Sequence, residues 1–324
     1  MNLLILGGTQ FVGRHIVSAA LEHGHAVTLF SRRIKENPFP DLEGLTGDRD
    51  GDLSALEGRT FDAVVDVSGY TPGQLEKSCA ALREGVGRYL FISTVSVYAD
   101  PGQEGPDEAS SLRPLERDTE EVTDETYGAL KVLAEKVVLE HFGDRATVVR
   151  PHLVVGAFDH TDRFTHWVHK FARGGQVLLG GSRSDPCQFV DARDHADLVL
   201  WLLERDLKGT FNVARDPVTW GEVLKGISRL SGSPVQPIEP DPVWLEAQQL
   251  EGDPFPLWIP AHSSYAGLAR VQNARSKATG FAYRALEDTL SCVLEWDRVR
   301  TGDLKAGLTL EQEQELIRRW DARG

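Results

Sequence analysis

With 324 residues, 41% hydrophobic and 26% charged, the chain can bury a real core in one large or two modest domains. A net charge of -14, with no Lys/Arg cluster interleaved with aromatics, disfavours nucleic-acid binding. No apolar run reaches the length of a membrane span, and 3 scattered cysteines suggest neither a disulfide framework nor a cysteine zinc site. A protein of a reducing cytoplasm acting on a small molecule is the expectation.

Leu3 to Leu6 is a continuous apolar run, as a parallel strand covered on both faces requires, and it reads as a first strand, not a signal peptide. Gly7-Gly8-Thr9-Gln10-Phe11-Val12-Gly13 follows, then a helical stretch through Ile16, Val17, Ala20 and Leu21, and a second strand from Ala26 to Phe30. A glycine-rich turn between strand and helix is a nucleotide-binding pattern, because amides at the helix start receive a pyrophosphate. Further strands are expected at Ala63–Val67, Tyr89–Ser93 and Ala146–Val149, with a helix over Leu75–Leu82 between the first two. The alternation implies an α/β doubly wound parallel sheet of the Rossmann type.

Asp100 to Glu125 holds ten acidic residues against Arg113 and Arg117, and reads equally well as a surface insertion or a lid. Tyr127 and Lys131 then stand one turn apart on a helix face. Making a phenol with a pKa near ~10 into a base at neutral pH needs roughly 4 kcal/mol of phenolate stabilisation, which a nearby ammonium could supply. Beyond Arg150-Pro151 the pattern turns irregular, with seven prolines between Pro234 and Pro260, before an amphipathic helix over Leu310–Trp320. His152, His160, His166 and His169, with Asp159 and Asp162, read as polar lining or surface in preference to a metal site.

These stretches resemble the short-chain dehydrogenase/reductase superfamily in its extended or atypical branch, related to nucleotide-sugar epimerases and dehydratases. The resemblance implies that Gly7, Gly8, Thr9, Gln10, Phe11, Val12 and Gly13 form the cofactor turn. It places Asp48 at the adenine, Arg49 beside it among the cofactor-binding residues, and Val67, Ser68 and Gly69 where the fourth strand passes the cofactor. Phe91-Ile-Ser93-Thr94-Val-Ser96-Val-Tyr98 resembles the strand carrying the catalytic hydroxyl, which would be Thr94, with Ser93 and Ser96 as rivals. Ser93, Lys131, Pro151 and His152 would sit by the nicotinamide; Ser96, His152 and Leu153 would meet substrate. Gln188 to Asp194 and Gly209 to Val213 resemble later motifs of the same branch. Tyr127 would move the substrate hydroxyl proton, with Lys131 lowering its pKa and Thr94 orienting the oxygen.

Several departures narrow the expectation. Gln10 replaces a glycine of the turn, and the second strand ends Ser31-Arg32-Arg33 with no acid for a ribose 2'-hydroxyl, which favours NADP over NAD. Val95 and Ser96 stand where sugar-nucleotide dehydratases carry an Asp-Glu pair. Leu153 and Cys187 stand where epimerases carry an asparagine and an arginine for the substrate diphosphate, with Arg183 or Arg193 as candidate substitutes. Leu257-Trp258-Ile259-Pro260 resembles a stretch of atypical members that either walls the substrate pocket or is simple packing.

The expected architecture is a Rossmann domain over residues 1–155 plus about 187–215, and a smaller, loop-rich C-terminal substrate domain over 156–186 and 216–324. The expected function is NAD(P)-dependent hydride transfer, by an oxidoreductase or epimerase, at a hydroxyl or carbonyl of a small, sugar-like substrate. No metal is expected, and the resemblance implies a homodimer. The rival is a catalytically silent nucleotide sensor or RNA-binding protein on the same fold; the sequence also resembles chloroplast stem-loop RNA-binding proteins in its GGTxFxG opening.

Overall fold

A computed structural model describes residues 1–32 and 37–323. Its strands are β1 (Asn2–Leu6), β2 (Ala26–Ser31), β3 (Glu43–Thr46), β4 (Phe61–Asp66), β5 (Val86–Ile92), β6 (Ala146–Pro151), β7 (Val154–Val155), β8 (Gly175–Leu178), β9 (Pro186–Cys187), β10 (Val190–Asp191), β11 (Gly209–Val213), β12 (Val218–Thr219) and β13 (Val235–Ile238). The helices are α1 (Phe11–Glu22), α2 (Pro72–Leu82), α3 (Tyr127–Phe142), α4 (Thr165–Arg173), α5 (Ala192–Glu204), α6 (Trp220–Ser231), α7 (Pro242–Ala247), α8 (Ala274–Ala278), α9 (Leu286–Val299) and α10 (Leu310–Asp321). Seven strands form one parallel sheet in the order β11-β6-β5-β4-β1-β2-β3.

The buried run of β1 shows why its sequence could be apolar throughout. Leu3 and Ile5 pack with α1 and α5 on one face, and Leu4 and Leu6 pack with α2 on the other. Successive side chains of a strand point to opposite faces, so a two-sided cover demands apolar residues at every position. Each such side chain contributes about 1.5–3 kcal/mol on burial. Edge strand β3 lacks that signature. Of its four residues only Leu45 is buried, which is why no period marks it in the sequence.

Because β1 has β2 on one side and β4 on the other, the chain reverses its winding direction there. The loops after β1 and β4 diverge and open a crevice at the carboxyl edge, the usual place for a ligand in such sheets.

The later residues pack around a second core. Trp220 and Trp258 stack with ring centroids 4.4 Å apart, and Trp167 lies 5.2 and 5.1 Å from them. The indoles of Trp167 and Trp258 donate to the Pro256 carbonyl (2.7 Å) and to Asp185 (2.9 Å). The Leu257–Pro260 stretch is therefore packing, and Trp258 is 7% exposed. Helix α10 docks here through Glu313, which is fully buried between Lys170 and Arg173, each 3.0 Å away, and also accepts from the Leu178 amide.

The acidic stretch before α3 is pinned from several directions. The Ala99 amide donates to Ser111 (2.9 Å), the Asn212 amide to Glu108 (2.7 Å), and the Leu268 and Gln272 amides to Pro101 and Pro106. Glu120 accepts from the Gly73 amide at the start of α2 (2.7 Å). Among the described residues, none of 100–125 lines the crevice, so the surface-insertion reading fits its placement. Among the described residues no helix is long and apolar enough to cross a membrane.

Candidate functional site

The carboxyl edge of the sheet carries two adjoining clefts. The first, of about 830 Å³, is lined by Gly7, Gln10, Ser31, Arg32, Asp48, Arg49 and Ser68 among others. The second, of about 360 Å³, is lined by Phe11, Val12, Val67, Ser93, Thr94, Ser96, Tyr127, Lys131, Pro151, His152, Leu153 and Arg163 among others. Tyr70 borders both, which makes them two ends of one groove. Gly8 and Thr9 complete the turn behind it, and Arg33 lies outside the described residues.

Between the clefts stands the start of α1. A Cβ on Gly13 would lie 2.1 Å from the Gly7 carbonyl oxygen, so only glycine lets helix and strand approach this closely. Gln10 occupies the cap position yet gives no side-chain cap, and the first turn contains no acid. The leading amides are thus unclaimed by the protein's own side chains, and an anion such as a pyrophosphate suits them. On this test the turn fits a dinucleotide with Gln10 in place.

Arg49 lines the first cleft and is also held in a buried ion pair. Its guanidinium donates to both oxygens of Asp66 (2.5 and 2.6 Å) and to Ser78 (2.8 Å), and the Tyr89 hydroxyl also donates to Asp66 (2.6 Å). Burial disfavours the Arg49 charge, but Asp66 more than restores it and holds the pKa above the ordinary arginine value. The pair ties the loop after β3 to the end of β4 and leaves Asp48 as the half-exposed acid of that turn. The Asp48 side chain accepts from the Asp50 amide (3.1 Å).

In the second cleft Tyr127 opens α3, half-buried. Burial raises its pKa above the usual value and the neighbouring Tyr70 adds to this, while a hydrogen bond with Thr94 and the charge of Arg163 pull it back. Thr94 caps the short turn over Val95–Val97, accepting from the Ser96 amide (3.1 Å) and donating to the Ser96 hydroxyl (3.2 Å). Ser93 is committed beneath the cleft, donating to Glu135 (2.5 Å). Arg150 grips the same carboxylate in a fork at 2.9 and 2.6 Å. This buried network joins the ends of β5 and β6 to α3, and so holds Thr94, Pro151 and Tyr127 in register.

Lys131 departs from the expected arrangement. Its ammonium donates to the carbonyls of Gly69 (2.7 Å) and Ile92 (2.6 Å) and lies 4.1 Å from the centre of the Phe91 ring. At 3% exposure it needs acceptors, and the strand ends supply them. Burial pushes its pKa down to about 7, against the pull of Asp66 and Glu135. Thr94 and Arg163 draw the phenol down, and Lys131 holds the two strand ends at the rim of the same cleft.

His152 is buried and bonded through Nε2 to the Leu268 carbonyl, and burial brings its pKa down to about 4, so it is a neutral wall residue at pH 7. Cys187 lies inside the tryptophan core, which leaves no diphosphate contact at its position. Arg183 pairs with Glu239, and Arg193 with Asp191 (2.7 Å). The other histidines and acids of this region point apart. His169 pairs with Asp297, Asp162 with Arg300, Asp159 accepts from Thr161, and His166 packs under Gly307.

Tyr70 and Arg163 are among the groove residues that escaped the sequence reading. Tyr70 directly follows the Asp66–Gly69 motif and could have been found by adjacency. Arg163 sits in no motif. Its Nε donates to Thr161 (3.2 Å), and among the described residues it makes no salt bridge.

The chain is 26% identical over 253 residues to the chloroplast stem-loop binding protein of 41 kDa b from Arabidopsis thaliana, covering 72% of this chain and 64% of that one. It is 27% identical over 169 residues to a UDP-glucose 4-epimerase of Neisseria meningitidis serogroup A, covering 43% and 48%. The chain thus spans less than two thirds of the length of these curated relatives. The fold matches UDP-glucuronic acid 4-epimerase from Bacillus cereus in complex with NAD at a TM-score of 0.67 and 15% identity, over 92% of this chain and 97% of that one. The cofactor named for that structure is NAD, so the expected NADP preference gains no support from it. The model of the NAD dependent epimerase/dehydratase family matches residues 3–71 and 77–214, well over half of the chain, and the protein belongs to that family.

Proposed function

We propose that the groove binds a nicotinamide dinucleotide and that the chain exchanges hydride with a hydroxyl or carbonyl carbon of a small, sugar-like substrate bearing an anionic group. The adenosine half would lie in the larger cleft, the pyrophosphate on the amides that open α1, and the nicotinamide beside Pro151 and Val67. When bound, the cofactor supplies the hydride acceptor or donor. Tyr127 takes or returns the substrate hydroxyl proton, Thr94 orients that oxygen, and Lys131 fixes the strand ends around them. Residues 156–186 and 216–324 would close the substrate side.

The observation that carries this reading is the meeting of the Tyr127 phenol, the Thr94 hydroxyl and the Arg163 guanidinium around one 360 Å³ cleft that continues into the dinucleotide-sized one. Among the described residues Arg163 makes no salt bridge, the Asp253 carboxylate feeling its charge from farther off, and an arginine so placed suits a carboxylate or phosphate. With Leu153 apolar and Cys187 buried, that anion would be held at Arg163, and the usual diphosphate contacts of a nucleotide sugar are not reproduced. Arg163→Ala is expected to raise KM roughly tenfold to a hundredfold with kcat nearly unchanged, the loss of one charge-assisted hydrogen bond. An unaltered KM would remove Arg163 from substrate binding.

The first experiment is a fluorescence titration with NADPH and NADH. Arg32 lines the larger cleft near the expected 2'-position, so NADPH is expected to bind more tightly, and Arg32→Ala to erase the difference. Equal affinities in the unaltered protein would discard the 2'-phosphate preference, and binding of neither would discard the dinucleotide. A second reading, RNA binding, is favoured by the likeness to the stem-loop binding protein and opposed by the net charge of -14. A gel shift with structured RNA at physiological salt separates the two.

A further inference from the structure

At the amino ends of the strands, on the edge of the sheet away from the groove, two imidazoles converge on one carboxylate. His23 Nδ1 lies 2.8 Å and His25 Nε2 3.0 Å from the same oxygen, Glu204 Oε1. The ligand atoms of the three residues all lie within 4.8 Å of one another. We propose that His23, His25 and Glu204 form a surface site for a divalent transition metal that clips the end of α1 to the end of α5.

The backbone around these side chains is set in advance. His23 caps α1, its amide donating to Ala19 (3.0 Å), Gly24 turns in the left-handed region, and the His25 amide returns to Ala20 (2.9 Å). Glu204 is the last residue of α5, which packs along α1 against the same face of the sheet. Donors fixed on rigid elements lose little freedom on binding an ion. The donor set also suits the chemistry. Two imidazole nitrogens and one carboxylate oxygen are a familiar zinc set, leaving one position for water. Zinc bonds of about 2.0–2.1 Å place tetrahedral ligands roughly 3.3 Å apart, so the two imidazole–carboxylate separations need to open by a few tenths of an ångström, while the two imidazole nitrogens, within 4.8 Å of each other, settle to the same spacing. The ion has access, since the His23 side chain is 42% exposed and that of Glu204 27%.

An imidazole–carboxylate pair at the surface adds little stability by itself. An ion replacing the shared oxygen contact would tie all three side chains at once. His25 Nδ1 lies 3.1 Å from the Met1 nitrogen; metal at Nε2 would put the ring proton on Nδ1, so this contact would persist only with the Met1 amine unprotonated and accepting. The ligands must be unprotonated, which makes uptake weaken as the solution is acidified.

The test is calorimetric titration of the whole, tag-free protein with zinc chloride at pH 7.5 and pH 5.5. Saturable one-to-one binding is expected at pH 7.5, weaker at pH 5.5. His23→Ala and Glu204→Gln should each lower affinity by about tenfold or more. Zinc should raise the melting temperature of the unaltered protein and not of either variant. Both positions are partly exposed, and equal melting temperatures without zinc would verify that the variants fold. Absence of saturable binding, or the same affinity in both variants, would overturn the proposal. Neither outcome bears on the groove, because the site lies at the opposite ends of the strands.

Discussion

Tyr127→Phe is expected to reduce turnover by roughly 10²–10⁴-fold while changing dinucleotide affinity by no more than a factor of about two or three. The substitution removes one oxygen and keeps the ring, so the packing at the start of α3 stays intact. What is lost is the phenol that lines the cleft beside Thr94 and is assigned the proton exchange with the substrate hydroxyl. A substrate found by screening hydroxyl and carbonyl compounds with the preferred cofactor gives the rate, and the fluorescence titration gives the affinity. Retained turnover would end the role assigned to Tyr127, whereas a loss of both turnover and affinity would indicate a binding role. The pH profile carries a sign of its own. Burial holds the phenol above its ordinary range, so its deprotonated fraction at neutrality is small and grows with pH. In the direction that takes a proton from substrate, kcat/KM should rise with pH through neutrality, by as much as about tenfold per unit. In the opposite direction, where the protonated phenol donates, it should be flat over the same range.

Gly13→Ala is the second large effect. The new methyl would meet the Gly7 carbonyl oxygen at 2.1 Å and the Gly8 Cα at 2.9 Å, both backbone atoms that no rotamer change can clear. Relief must come from moving α1 away from β1, which costs about 1–3 kcal/mol and shifts the amides offered to the pyrophosphate. Dinucleotide affinity should fall by roughly tenfold or more, and the melting temperature should drop with it. Gly51→Ala is the matched control in the loop beside the same cleft. Its methyl would meet nothing nearer than the Asp48 Cβ at 3.9 Å, and little change is expected. If Gly13→Ala binds cofactor as tightly as the control, the amides that open α1 do not hold the pyrophosphate.

Local chemistry made the glycine turn, the central strands and the Tyr127/Lys131 helix readable in the chain, because each has a signature of its own. Gly13 must be glycine for steric reasons, Leu3 to Leu6 must be apolar on both faces, and a four-residue spacing must share a helix face. The roles of buried charges could not be read this way. The ion pair of Arg49 with Asp66, seventeen residues on, has no signature in the chain. The hydrogen bonds of the Lys131 ammonium to the carbonyls of Gly69 and Ile92, far off in sequence, have none either. The chain leaves a pocket wall and simple packing both open for Trp258, and Trp167 and Trp220 enclose it in a core. In each case the buried group goes to whichever partner offsets its loss of water, or to the apolar surface it can share, and only the tertiary structure decides which partner is near. Arg163 and the His23/His25/Glu204 cluster follow the same rule, since their chemistry lies in convergence across elements and leaves no pattern in the chain.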